Sequence, residues 1–178
     1  MPRYSVQNKR PALTAAALRD LALAYVGRFA TSAARLERYL SRKLKERGWA
    51  EEQEPDIAAL AARFTELGYL DDAAYARMKG AAMQRRGLGA GRIRGALAAD
   101  GIKEDDRGTA LDEAQAGRWD AANTLARKKR IGPYALEQAD RAVREKQIAA
   151  FVRAGHDFAT ARAWVEAAPG IFPERSEE

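Results

Sequence analysis

The stretch Leu97-Ala98-Ala99-Asp100-Gly101-Ile102 has the form of a helix end, and two similar stretches occur elsewhere in the chain. In each, a large apolar residue stands four positions before a glycine, and the other two are Leu44-Lys45-Glu46-Arg47-Gly48-Trp49 and Phe151-Val152-Arg153-Ala154-Gly155-His156. Glycine directly after an apolar-periodic run is the expected left-handed helix C-cap. The three glycines are 53 and 54 residues apart, and this even spacing predicts a tandem repeat.

The charges of the chain alternate with the same period. The net charge is +8 over residues 1–50, −6 over 51–72, +6 over 73–103, −4 over 104–123, +5 over 124–153 and −3 over 154–178. Each predicted repeat therefore has a basic part followed by an acidic third helix.

The composition favours helix over sheet. Alanine occurs 40 times, whereas isoleucine and valine together occur 11 times, and alanine is the best helix former while β-branched residues favour strands. We predict an all-α fold of three tandem three-helix repeats that form an elongated, curved, right-handed or solenoid-like array. A unit of about 53 residues is marginal alone, so we expect each repeat to stack on its neighbour.

The predicted division of the chain follows these signals. It consists of a flexible N-terminus (1–10), three repeats (11–70, 71–117 and 118–168) and a flexible C-terminus (169–178). In the first repeat we expect a helix over about residues 12–29, an N-cap at Ser32 and Pro55 at the first position of the third helix. Asp71 and Asp157 are predicted N-caps of later helices.

The absence of certain residue types and segments limits the class of protein. The chain has no cysteine, which excludes disulfides and thiolate chemistry and is compatible with a reducing compartment. No stretch reaches the ~18 to 20 apolar residues of a membrane span. The apolar residues 11–18 follow basic residues as in a signal peptide, but the run then continues as an amphipathic helix. We therefore predict a soluble cytoplasmic protein without a membrane partner.

Basic residues recur in each predicted repeat. Arg35, Arg38, Arg42 and Lys45 fall at helical spacing opposite Leu36 and Leu40 and can follow a phosphate backbone, although a solvated charged face is the alternative. Recurrence favours an extended acidic partner. The candidate binding residues form a first basic set (Arg35, Arg38, Arg42, Lys45), a second basic set (Arg77, Arg85, Arg86, Arg92, Arg94) and a third basic set (Arg127, Lys128, Lys129, Arg130, Arg141, Arg144, Lys146).

Other motifs have simpler structural explanations. The run Gly87-Leu88-Gly89-Ala90-Gly91 lacks the Lys-Ser/Thr of a phosphate loop and is read as a helix-to-helix turn. The pairs Asp71-Asp72 and Asp105-Asp106 could bind a metal or act as acid and base, but N-caps and dipole partners explain them. His156 has no companion ligands for zinc and is read as structural. We predict no catalytic residues, metal or cofactor.

The central run resembles the RecX family of recombinase regulators. The resemblance lies in Gly68-Tyr69-Leu70-Asp71-Asp72, in Arg86-Gly87-Leu88-Gly89 followed by Arg92-Ile93, and in Arg144-Glu145-Lys146-Gln147 of the third repeat. It spans about residues 20–168. Two positions depart from the family pattern, since Ala90 stands where the family often has Pro and Tyr75 where it often has Phe.

The resemblance implies a cytoplasmic bacterial protein that lies in the groove of the RecA–DNA filament. Such proteins modulate RecA and mainly inhibit its ATPase, strand-exchange and coprotease activities, which regulates DNA repair, recombination and the SOS response. We expect a monomer that binds the RecA filament and, more weakly and electrostatically, single- and double-stranded DNA. We expect Tyr69, Leu70, Tyr75, Ile93 and Leu97 to hold the central repeat together. The alternatives are a helical DNA-binding module that acts without RecA, and a helical scaffold whose charges serve only solubility.

Overall fold

The computed structural model describes residues 11–174, and this range is helical without a β-strand. The predicted all-α class is confirmed. The helices are α1 (Ala15–Arg28), α2 (Ala33–Arg47), α3 (Ile57–Glu66), α4 (Asp72–Arg85), α5 (Ala90–Ala99), α6 (Glu104–Ala116), α7 (Arg118–Lys129), α8 (Arg141–Arg153) and α9 (Phe158–Glu166), with a 3-10 turn at Gly132–Tyr134. The predicted flexible residues 1–10, and residues 175–178 of the predicted C-terminal segment, lie outside the described range.

The described part of the chain divides into two compact units, which meet between Asp72 and Ala73. The first unit contains α1 to α3 around a cluster that includes Leu36, Leu40 and Phe64. The second unit contains two clusters, one around Ile93 and Leu97 and the other around Phe151 and Trp164. The three-repeat division of the sequence stays a prediction, although each hydrophobic cluster draws its buried residues from one predicted repeat.

The three glycines that define the repeat pattern have left-handed backbone conformations. Their φ angles are +80° at Gly48, +81° at Gly101 and +94° at Gly155. An L side chain is strained in this region, whereas glycine adopts it freely. The positive φ that the prediction requires is confirmed at each glycine, and a ψ of 176° makes the cap at Gly48 differ from a left-handed helical one.

The starts of α1 and α3 differ from the sequence prediction. Helix α1 begins at Ala15, because the backbone of the fully buried Leu13 bonds to Gly48 O and Ala50 N, each at 2.9 Å. The predicted place of Pro55 is wrong, because Asp56 is the N-cap of α3 and accepts a bond from Ala59 N at 2.8 Å. Ser32 and Asp157 cap α2 and α9 as predicted.

The stretch from Gly68 to Asp72 packs against the first unit and completes it. Leu70 is buried in the first-unit cluster, and the half-exposed Tyr69 places its ring 5.4 Å from that of Phe64. Asp72 Oδ1 accepts a bond from Ala33 N at 2.9 Å and so helps to cap α2. The expectation that Tyr69 and Leu70 hold the central repeat together is wrong, because the chain turns back on α3 before α4 begins.

The other three residues of that expectation lie where predicted. Tyr75, Ile93 and Leu97 are buried in the central cluster. The Tyr75 hydroxyl donates to Asp100 Oδ2 at 2.6 Å, and Lys79 forms an ion pair with the same carboxylate. Asp100 precedes the repeat glycine Gly101, so this network fixes the end of α5 to α4.

The glycine run between α4 and α5 contacts the turn between α8 and α9 through two hydrogen bonds between backbone groups. Gly89 N donates to Ala154 O at 2.9 Å, and Gly91 N donates to Gly155 O at 3.0 Å. A Cβ added to Gly89 would lie 2.4 Å from Gly155 O, and one added to Gly155 would lie 2.2 Å from Arg92 N. We call this contact the glycine joint. The predicted helix-to-helix turn is confirmed, and it ends at Gly89 rather than Gly91.

Substitution of Gly89 by alanine tests the glycine joint. Its φ is −85°, so alanine suits the backbone there, and the expected loss comes from the clash with the backbone of Gly155 and His156. We expect the free energy of unfolding to fall by about 1–3 kcal/mol, measured by urea denaturation.

The matched control for this prediction is Gly95→Ala in the same helix. A Cβ at Gly95 meets no atom within 4 Å, so alanine there should stabilise the protein by about 0.5–1 kcal/mol through its higher helix propensity. Equal effects of the two substitutions would show that the joint tolerates a side chain.

Candidate functional site

The first basic set lies along α2, on the side away from the fully buried Leu36 and Leu40. Arg38, Arg42 and Lys45 are exposed, and Arg35 is half-buried. Arg42 Nε lies 3.6 Å from a Glu46 oxygen, and the guanidinium lies 5.7 Å from the centre of the Tyr39 ring. Surface pairs of this kind contribute little to stability, so these side chains remain able to exchange their partner for a ligand.

The second basic set is distributed over α4, α5 and Arg86 in the turn after α4, all in the second unit. All five of its arginines are exposed. Within residues 11–174, none of the five forms an ion pair with a carboxylate. Their positive charge is therefore not neutralised by the described part of the chain.

The third basic set lies on α7, on α8 and at the residue after α7. Arg130 follows α7 with a φ of +53°, a left-handed conformation that is uncommon outside glycine. Arg144 is half-buried, while Arg141 is exposed and pairs with Glu145 at 3.1 Å. The remaining members are exposed, so most of this set is also accessible to a partner.

The structure brings members of the second and third sets together. Lys128 Nζ donates to the main-chain oxygen of Arg86 at 2.8 Å. The contact is possible because Gly87, directly after Arg86, packs on α7, where an added Cβ would lie 3.0 Å from Leu125 N. The charge of Lys128, in the third basic set, therefore lies at the backbone of Arg86, in the second.

A cleft next to the glycine joint contains an arginine that the sequence analysis missed. Its volume is about 500 Å³, and its basic lining residues are Arg92, Arg94 and Arg153. Arg153 is the last residue of α8 and was read only as part of a helix end. Arg153 lies two residues before Gly155, but the sequence does not show that Gly89 and Gly91 bond to the turn at Gly155. The cleft could therefore not be predicted from the position of Arg153. We call this feature the arginine cleft.

The acidic pairs lie at helix starts, but not all of them cap. Asp105 and Asp106 lie in the first turn of α6, where their negative charges interact favourably with the positive end of the helix dipole. Lys103 occupies the N-cap position. Their predicted role as N-caps is therefore wrong. Between residues 11 and 174, no group of three or more side chains is arranged to hold a metal ion. None of the described helices is both long and apolar enough to cross a bilayer.

His156 is a buried part of the glycine joint. Its Nε2 lies 3.0 Å from Gly87 O, and its Nδ1 has no hydrogen-bond partner among the described residues. Burial lowers the pKa of His156 below the ordinary 6.5, against the opposing effects of the Gly87 carbonyl and Asp157. The ring is therefore neutral at pH 7 and donates from Nε2 to Gly87, which agrees with the structural role expected from the sequence.

The chain is similar to a curated protein described as a regulatory protein RecX. This relative, from Myxococcus xanthus strain DK1622, is 31% identical, and the match covers 85% of this chain and 86% of the relative. No family model matches the chain.

Two solved structures share the fold. One, described as the regulatory protein RecX, has a TM-score of 0.64 at 24% identity and covers 82% of this chain and 68% of its own. The other is RecX from Lactobacillus salivarius, with a TM-score of 0.64 at 20% identity, covering 82% of this chain and 90% of its own. At these identities the two structures support the fold alone.

Acid is expected to destabilise the second unit through His156. Because its folded-state pKa lies below 6.5, the unfolded chain takes up a proton near that pH while the folded chain does not. Stability should therefore fall as the pH drops below 6.5, by at most about 1.4 kcal/mol per pH unit from this group. Denaturant unfolding at about pH 7.5 and about pH 5.5 measures the difference.

His156→Gln is the control, because its amide can still donate to Gly87 O but does not titrate. The variant should lose part of the pH dependence. The same pH dependence in both proteins would mean that His156 does not contribute to it.

Proposed function

We propose that this chain, which belongs to the RecX family, regulates the RecA recombinase by binding the filament that RecA forms on DNA. It would mainly inhibit the ATPase, strand-exchange and coprotease activities of RecA. Through these activities it would regulate DNA repair, recombination and the SOS response. We place this action in the cytoplasm and assign it to a monomer that works by binding rather than by catalysis.

The observation that carries this proposal is the unneutralised charge of the second basic set. Its five arginines are exposed and form no ion pair within residues 11–174. An arginine without a carboxylate partner keeps its planar donors available for phosphate or carboxylate groups. A protein filament on DNA offers both kinds of acceptor at regular intervals.

Several weak contacts made by one polypeptide can together give strong binding. A single exposed ion pair contributes only about 0–1 kcal/mol. The three basic sets belong to one polypeptide, so binding through one set raises the effective concentration of the others. This supports a partner that is long and repetitive over a small ligand.

A DNA-binding module that acts without RecA is the second candidate. The abundance of exposed arginine on the second and third basic sets favours it, because guanidinium groups suit phosphates. It predicts tight binding to bare DNA with a steep salt dependence, and no effect on RecA beyond competition for DNA.

Charge reversal of the second basic set tests the proposed function. We expect the variant with Arg85, Arg86, Arg92 and Arg94 all changed to Glu to lose filament binding, because four attractive contacts become repulsive. Inhibition of ATP hydrolysis by RecA on single-stranded DNA measures the loss, and circular dichroism checks that helicity is kept.

A control with the same change in net charge separates local contacts from overall charge. Arg19, Arg28, Arg63 and Arg162 are exposed and lie outside the three basic sets. Their joint reversal to Glu should leave most of the inhibition intact. Full inhibition by the first variant would contradict the assignment of the second basic set to the filament.

A further inference from the structure

We propose that the arginine cleft binds a phosphodiester group of the DNA backbone. The cleft lies where the start of α5 meets the turn between α8 and α9. This inference rests on the proposed function, because it takes as its ligand the DNA of the filament. It adds Arg153 and the cleft to the basic sets named from the sequence.

The charge of the cleft favours a phosphate. Arg92, Arg94 and Arg153 are exposed and have no ion-pair partner within residues 11–174. The cleft also contains the carboxylate of Asp157, but Thr160 occupies both of its oxygens, through its N at 2.7 Å and its Oγ1 at 2.8 Å. Three arginines and one aspartate therefore line the cleft, which leaves it a net positive charge, and guanidinium forks bind phosphate oxygens in pairs.

The glycine joint removes the groups that would repel an anion. Ala154 O and Gly155 O are the carbonyls at the end of α8, and they accept bonds from Gly89 N and Gly91 N. Their negative ends are thus turned to α5 and engaged. The positive end of the α5 dipole and the negative end of the α8 dipole meet here and offset each other, so the preference for an anion comes from the arginines.

The lining of the cleft suits the sugar-phosphate backbone of DNA and not a nucleic-acid base. Ten described residues line it, and none of them is Phe, Tyr or Trp, the side chains on which bases stack. Gly91 and Gly155 contribute no side chain, which lets a polymer backbone approach closely. Binding here should therefore be insensitive to sequence.

The buried polar atom at the wall of the cleft is a second observation. His156 lines the cleft, is 5% exposed, and its Nδ1 has no hydrogen-bond partner among the described residues. A buried polar atom without a partner is uncommon. Because Nε2 donates to Gly87 O, Nδ1 is an acceptor, and a water molecule held by the bound phosphate can donate to it.

Binding of a fluorescein-labelled oligo-dT by Arg153→Gln tests the cleft. Loss of one phosphate contact should lower the slope of log affinity against log salt by about 0.7, which is about fivefold in affinity at ~0.1 M salt. The double variant Arg92→Gln/Arg94→Gln should lower it further. Arg162→Gln is the matched control, because Arg162 is exposed, lies on α9 outside the cleft and pairs with Glu166 at 2.9 Å.

The imidazole of His156 gives a local readout. The sequence has one histidine, so its NMR signals are assigned without ambiguity. We expect oligo-dT to shift these signals in the wild-type protein and in Arg162→Gln, and to shift them much less in Arg153→Gln.

Two results would overturn the inference. One is an equal salt slope in Arg153→Gln and Arg162→Gln together with unmoved His156 signals. The other is loss of RecA inhibition by the cleft variants with DNA binding unchanged, which would assign the cleft to an acidic protein surface and leave the proposed function standing. A third combination is possible, in which these variants lose DNA binding and the wild-type protein does not affect RecA. That result would support the cleft as a DNA-binding site and contradict the proposed function.

Discussion

The second unit depends on a contact between two backbones. Gly89 and Gly91 bond to the carbonyls of Ala154 and Gly155 at 2.9 and 3.0 Å, and this close approach leaves no room for a Cβ at Gly89 or Gly155. The contact holds the start of α5 against the end of α8, and with it the arginines that each helix carries. Positions that look like simple turns in the sequence therefore determine where the positive charge of the unit converges.

Local signals in the sequence predicted much of the fold. Helix caps at Ser32 and Asp157, and left-handed glycines at 48, 101 and 155, each depend on a few neighbouring residues, so a short stretch is enough to indicate them. The start of α1 could not be predicted in this way. It is set by the pairing of Leu13 with residues more than thirty positions away, at Gly48 and Ala50.

The candidate site likewise has some residues that local sequence places and others that only tertiary packing brings together. Helical spacing was enough to place Arg38, Arg42 and Lys45 on the exposed side of α2. Spacing could not bring Lys128 to Arg86, or Arg153 to Arg92, because these neighbours come together only through the packing of Gly87 on α7 and of Gly89 on Gly155. Which basic residues share a surface is thus decided by glycines that carry no charge.

Asp72 links two elements that the sequence assigns to different repeats. It is the first residue of α4, yet its carboxylate accepts the bond from Ala33 N at the start of α2. A fragment that stops at residue 70 would keep every apolar residue of the first cluster but leave α2 without this acceptor. The polar contacts that complete the first cluster therefore extend past its last apolar residue, to Asp72.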